Sequence, residues 1–87
     1  MSIHSAPYFQ IIETLVEARK SLSMTQSELA EVWGKSQPQI TKIEQRERRL
    51  DVQEFLELCM ILNVDPTEVI RRAHNMLKAE LLKGAAR

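Results

Sequence analysis

The sequence predicts an all-α fold built from five short helices around one core. Three observations carry that reading. Apolar residues recur at spacings of three and four through most of the chain, and no strand-like alternation competes with them. A helix-start signal, an Asp, Ser or Thr followed three residues later by Glu or Gln, stands four times at the head of such a pattern. Length supplies the third: 87 residues with 44% hydrophobic content suffice for one compact core but not for two ordinary domains, so residues 1–87 read as a single domain.

The first helix spans about residues 7–20, where Tyr8, Ile11, Ile12, Leu15, Val16 and Leu22 recur at helical spacing and Pro7 suits a first turn. Thr25 with Glu28 opens the second, which carries Leu29, Ala30, Val32 and Trp33. It stops at Gly34, the residue that most readily takes the left-handed conformation after a helix end. After Lys35 alone, Ser36 with Gln39 starts a third helix, about Ser36 to Gln45, with Ile40 and Ile43 inward. Asp51 with Glu54 opens the fourth, whose broad apolar set is Val52, Phe55, Leu56, Cys59, Met60 and Leu62. Asp65 with Glu68 opens the fifth, about 66–82, with Pro66 at the first helical position and Val69, Ile70, Ala73, Leu77 and Leu81 along one side.

Twelve basic and twelve acidic residues give zero net charge, yet the charges are segregated. Residues 19–50 carry a balance of +3, residues 51–70 one of −5, and the chain beyond Ile70 one of +4. The single cysteine, Cys59, excludes an internal disulfide, and no Cys/His cluster has the spacing of a zinc site. No signal peptide or membrane-length apolar run is evident, so a cytoplasmic protein without membrane contact is expected. No nucleophile–base set, phosphate-cradling glycine loop or carboxylate pair points to an enzyme, and no cofactor is expected.

Two short helices joined through Gly34 and Lys35 in a basic context have the layout of a helix-turn-helix, whose second helix enters a DNA major groove. The run TQSELAEVWGKSQPQITKIE, followed by RERRLDVQEFLEL, resembles the phage-repressor-like (Cro and XRE type) family over about residues 8–70. The Thr-Gln start, Glu-Leu-Ala, the turn glycine and Ile-x-x-Ile-Glu all fall in register. The resemblance implies a compact five-helix lambda-repressor-like domain with its core over about 7–70, binding double-stranded DNA as a transcriptional regulator.

It also implies roles for individual residues. Base-reading positions fall on Gln37, Pro38 and Lys42, with Gln39 and Thr41 close by. Gln37 suits bidentate pairing with adenine and Lys42 suits guanine. Gln39 ranks below Gln37, because closing the cap with Ser36 occupies its amide. Phosphate contacts are expected from Gln26 at the start of helix two, from Lys35 and Ser36 in the turn, and from Gln45, Arg46, Arg48 and Arg49 after helix three. Arg19 and Glu44 match an ion pair between helices one and three. Where the family usually has glycine this chain has Arg46, so a differently shaped loop is expected there.

Other features read as structural. Trp33 occupies a core position, Cys59 reads as a buried inert thiol, and His4 and His74 are too isolated to bind a metal. The acidic stretch from Asp51 to Glu68 reads as helix capping plus a solvated face turned away from DNA. A homodimer on a palindrome is expected, its seam formed by Ile70, Leu77 and Leu81 on helix five. The alternative is an antitoxin-type module that neutralises a partner protein and represses its own operon.

Overall fold

The computed structural model describes residues 5–85 and contains five α-helices: α1 (Ala6–Ser21), α2 (Gln26–Trp33), α3 (Gln37–Glu44), α4 (Val52–Leu62) and α5 (Pro66–Ala85). Local chemistry fixes their starts. At Thr25, Ser36 and Asp51 both bonds of a capping box form, each cap side chain taking the backbone N–H three residues on while the Glu or Gln there returns a bond. Ser5 caps α1 by accepting from the Tyr8 N–H, a signal the apolar pattern does not mark. The box expected at Asp65 does not close. Asp65 accepts from the Thr67 N–H at 3.0 Å, and the Glu68 carboxylate instead pairs with Arg71 one turn ahead.

The helices pack α1 against α5, α4 and α3, and α2 against α3 and α4. Leu15, Leu29, Ile40, Phe55, Leu58, Cys59, Leu62 and Val69 share the main buried cluster, while Tyr8, Ile12 and Ile43 form a second one, with Trp33 and Leu50 packed against both. Ile40, only 1% exposed, and Ile43 anchor α3. Burial of each such side chain contributes about 1.5–3 kcal/mol, which an eight-residue helix needs, since helices that short are marginal alone.

Not every residue of the expected apolar faces is inside. Leu22 and Val32 are exposed, and α4 carries two apolar ridges. Phe55, Leu58, Cys59 and Leu62 face the core, whereas Val52, Leu56 and Met60, four residues apart, line up on the outside. Cys59 is buried as expected, and desolvation pushes its thiol pKa up. From residue 78 to 84 α5 is exposed on every side, and the molecule measures 48 × 23 × 20 Å.

The loop after α3 corrects the expectation attached to Arg46. Arg46 takes the left-handed conformation usual for glycine there, at φ +60°. Its guanidinium lies 4.5 Å above the Phe9 ring, a cation–π contact that offsets part of the strain. The Tyr8 hydroxyl, accepting from the Leu50 N–H at 3.1 Å, ties the far end of the loop to α1. Both Arg46→Ala and Arg46→Gly lose the ring contact, but only alanine keeps the left-handed penalty. Thermal or urea unfolding should therefore find the alanine variant less stable by about 0.5–1 kcal/mol.

Candidate nucleic-acid interface

The turn between α2 and α3 is made by backbone geometry. Gly34 adopts φ +74°, and the Lys35 N–H bonds back to the Ala30 carbonyl at 2.9 Å, closing α2 in a left-handed cap. A Cβ at Gly34 would meet nothing within 4 Å, so the demand for glycine is conformational rather than spatial. With Ile40 and Ile43 inward, Gln37, Pro38, Gln39 and Lys42 project into solvent from the opposite face, and Thr41 is half-buried beside them. Pro38, near the helix start, removes no intrahelical bond.

A hydrogen-bonded chain links this face to the interior. Arg19 is buried, 7% exposed, and grips Glu44 with two parallel bonds, Nε to Oε2 at 2.7 Å and Nη2 to Oε1 at 2.9 Å. Its remaining nitrogen, Nη1, donates to the Met24 carbonyl at 2.7 Å. Glu44 Oε1 also accepts from Gln26 Nε2 at 2.8 Å. Gln26 Oε1 in turn accepts from Thr41 Oγ1 at 2.7 Å and Gln37 Nε2 at 2.9 Å. Gln26, expected on a phosphate, is thus half-buried and engaged within the protein, keeping one amide proton for an outside acceptor.

The other expected contacts divide into engaged and outward groups. Ser36 spends its hydroxyl on the cap, and Gln39 Oε1 accepts from the Ser36 N–H at 2.8 Å. The cap occupies only the oxygen of Gln39, so its amide nitrogen remains a donor. Gln45 and Lys42 are exposed. Arg46 is half-buried over Phe9, and Arg49 is exposed beside the groove described below.

Arg48 and Lys35 converge on one carboxylate. Arg48 reaches Glu54 with bonds of 2.7 and 3.3 Å, and Lys35 Nζ lies 3.5 Å from the same group. The Arg48 hydrogen bonds, with the Asp51 N–H and the charge of Lys35 behind them, hold the Glu54 carboxyl at about 2 against an ordinary 4.5. Lys35 also sits 4.6 Å above the Trp33 ring, whose Nε1 donates to Glu57 at 2.9 Å. Trp33 is therefore core packing with a polar edge, half-buried between the two clusters.

The acidic stretch is accordingly not one solvated face. Glu54 and Glu57 turn toward the turn and the loop after α3, where they neutralise two of the cations expected on phosphates. Sequence marked Glu54 only as a cap partner, and its second role depends on the loop folding back. His74 is exposed, and His4 lies outside the described residues.

Glu54→Gln keeps the cap acceptor but removes the charge that holds Arg48 and Lys35. Affinity for all duplexes should rise by about two- to tenfold at low salt, with a salt slope steeper by up to about one unit. The same variant should flatten the acid limb of stability. Because folding lowers the Glu54 pKa, its contribution is complete above about 4.5 and is lost as pH falls toward about 2. Salt titrations of binding and unfolding followed against pH check the two halves.

Tyr8, Val52, Phe55, Leu56 and Ile70 line an open apolar groove of about 530 Å³ on another face, with Arg49, Asp51 and Thr67 among its polar lining. Among the described residues no group of His, Cys, Asp and Glu could hold a metal. No helix there is long and apolar enough to cross a membrane.

A glycine-closed turn delivering a short helix with its polar face outward defines a helix-turn-helix module. The chain belongs to the XRE (Cro-type) helix-turn-helix family of DNA-binding regulatory proteins: the family profile, described as Helix-turn-helix, matches residues 15–69. The solved structure of an XRE-family like protein from Pseudomonas syringae pv. tomato str. DC3000 is similar, at 39% identity and a TM-score of 0.75, covering 85% of this chain and 92% of that one. No curated protein is detectably similar to the chain. Domains of this family are DNA-binding modules without catalytic function.

Proposed function

We propose that the chain is a cytosolic, sequence-specific repressor that binds a palindromic operator in double-stranded DNA as a homodimer, with α3 in the major groove. The observation that carries this reading is the division of α3. Its inner residues are sunk in the core and its last residue is locked to Arg19, while Gln37, Pro38 and Lys42 stand free of the core on the outer face. Gln37 and Lys42 read base edges, Pro38 packs on a thymine methyl, and Gln39 and Thr41 assist at the margin. Gln26, Lys35, Ser36, Gln45, Arg46, Arg48 and Arg49 position the domain on phosphates, Ser36 and Gln26 chiefly through the N-terminal N–H groups of α3 and α2.

Selection of bound duplexes from a random library at roughly physiological salt tests the reading, because it separates sequence readout from attraction to phosphates. A palindrome with half-sites about one helical turn apart is the expected product. Gln37→Ala should lower preference at one position per half-site by about 1–3 kcal/mol, leaving non-specific binding unchanged. Failure of the folded protein to enrich any sequence counts against it. The outward ridge of Val52, Leu56 and Met60 on α4 supports a second reading, an antitoxin-type module whose partner protein covers that ridge. Stoichiometric co-purification with a small toxic protein would favour it.

A further inference from the structure

Resting on the DNA-reading proposal, the hydrogen-bond chain behind α3 also determines which end of the Gln37 amide a base meets. A glutamine amide has an accepting oxygen at one end and two donor protons at the other, so its neighbours set its orientation. The chain begins with two groups that have no choice. The Arg19 guanidinium only donates and the ionised Glu44 carboxylate only accepts, so the Gln26 amide, 2.8 Å from Glu44 Oε1, must turn its nitrogen inward. Its oxygen then faces outward.

That oxygen accepts from Gln37 Nε2 at 2.9 Å and from the Thr41 hydroxyl at 2.7 Å. The second Gln37 amide proton goes to Thr41 Oγ1 at 2.7 Å, closing a triangle of three bonds. Rotating Gln37 by half a turn would set its oxygen against the oxygen of Gln26. Both of its protons are therefore committed inside the protein, and its Oε1 alone is unengaged.

We propose that Gln37 is held as a pure acceptor and selects its base pair through an exocyclic amine, adenine N6 or cytosine N4, rather than through the bidentate adenine pairing expected from the sequence. Bidentate pairing needs an amide proton for adenine N7, and releasing one would break a bond of the triangle. The geometry thus exchanges a possible second base contact for a fixed direction of readout.

The test uses the full chain and the operator from duplex selection, modified at the position whose preference Gln37→Ala removes. At an adenine, a purine lacking the 6-amino group deletes the donor and 7-deazaadenine deletes the N7 acceptor. At a cytosine, the pyrimidinone lacking the 4-amino group and 7-deazaguanine on its partner do the same. Loss of the amine should weaken binding roughly tenfold and loss of N7 less than about twofold, with neither effect remaining in Gln37→Ala. Equal sensitivity to both deletions would overturn the proposal while leaving DNA reading intact. So would a Gln37→Ala variant that retains full base preference. Absence of any selected sequence would overturn the DNA-reading proposal itself, and this one with it.

Discussion

Replacing Glu44 by alanine is expected to destabilise the fold by about 3–5 kcal/mol and to erase the base preference of whatever folded protein remains. The first effect follows from what stays behind. Arg19 is 7% exposed, and without Glu44 two of its three nitrogens lose their partners in a site water barely reaches. A buried charge stripped of its counter-ion carries its full desolvation penalty, whereas the intact pair roughly balances it. The bond from Nη1 to the Met24 carbonyl survives and places the expected loss toward the lower end. The second effect follows from Gln26, which loses the acceptor that orients its amide, so Gln37 and Thr41 lose their fixed partner.

A double variant separates these consequences. Arg19→Met with Glu44→Leu removes both charges and fills similar volume, so most of the stability should return. The base preference should not, because nothing then fixes Gln26. Urea unfolding measures the first quantity and duplex selection the second. A Glu44→Ala loss below about 1 kcal/mol would mean that solvent reaches the pair and that it organises nothing.

How far the sequence reveals this arrangement depends on the range of the forces involved. The helix starts at Thr25, Ser36 and Asp51 are legible because a capping box is closed by residues three apart, and the stop at Gly34 because one backbone conformation excludes most residues. Ridges on α4 are less legible. Val52, Leu56 and Met60 have the same helical spacing as the core ridge, and hydropathy alone cannot rank two apolar ridges without the packing partner, which also hides Leu58. Arg46 shows the opposite limit: a poor left-handed residue is held there by Phe9, thirty-seven positions away, and no local signal announces that contact. Within the site, Arg19 and Glu44 were legible only through family resemblance. The direction of the Gln26 and Gln37 amides emerges only once α1, α2 and α3 meet, because each orientation is dictated by a neighbour distant in sequence.

The seam proposed between two copies predicts the largest change in binding. Positions 70, 77 and 81 fall within about 40° of one another on a helix of 3.6 residues per turn, so they form one stripe along α5. Ile70, 48% exposed, stands at the rim of the apolar groove, and Leu81, 66% exposed, lies on the projecting end of the helix. Leu77 between them is half-buried, which leaves the outer two as the sites to alter. Deleting the chain after Ile70 would also remove Ala73, a core residue, and so confuse dissociation with unfolding. The double substitution Ile70→Lys and Leu81→Lys changes only exposed positions and sets like charges on the stripe of both copies. Light scattering should then find a monomer with the melting temperature of an intact fold. Affinity for the palindrome should fall by about 10²–10⁴, the advantage a second tethered half-site confers, while the half-site preference set by Gln37 persists. A variant that remains dimeric would place the seam elsewhere, and the outward ridge of Val52, Leu56 and Met60 would be the next surface to charge.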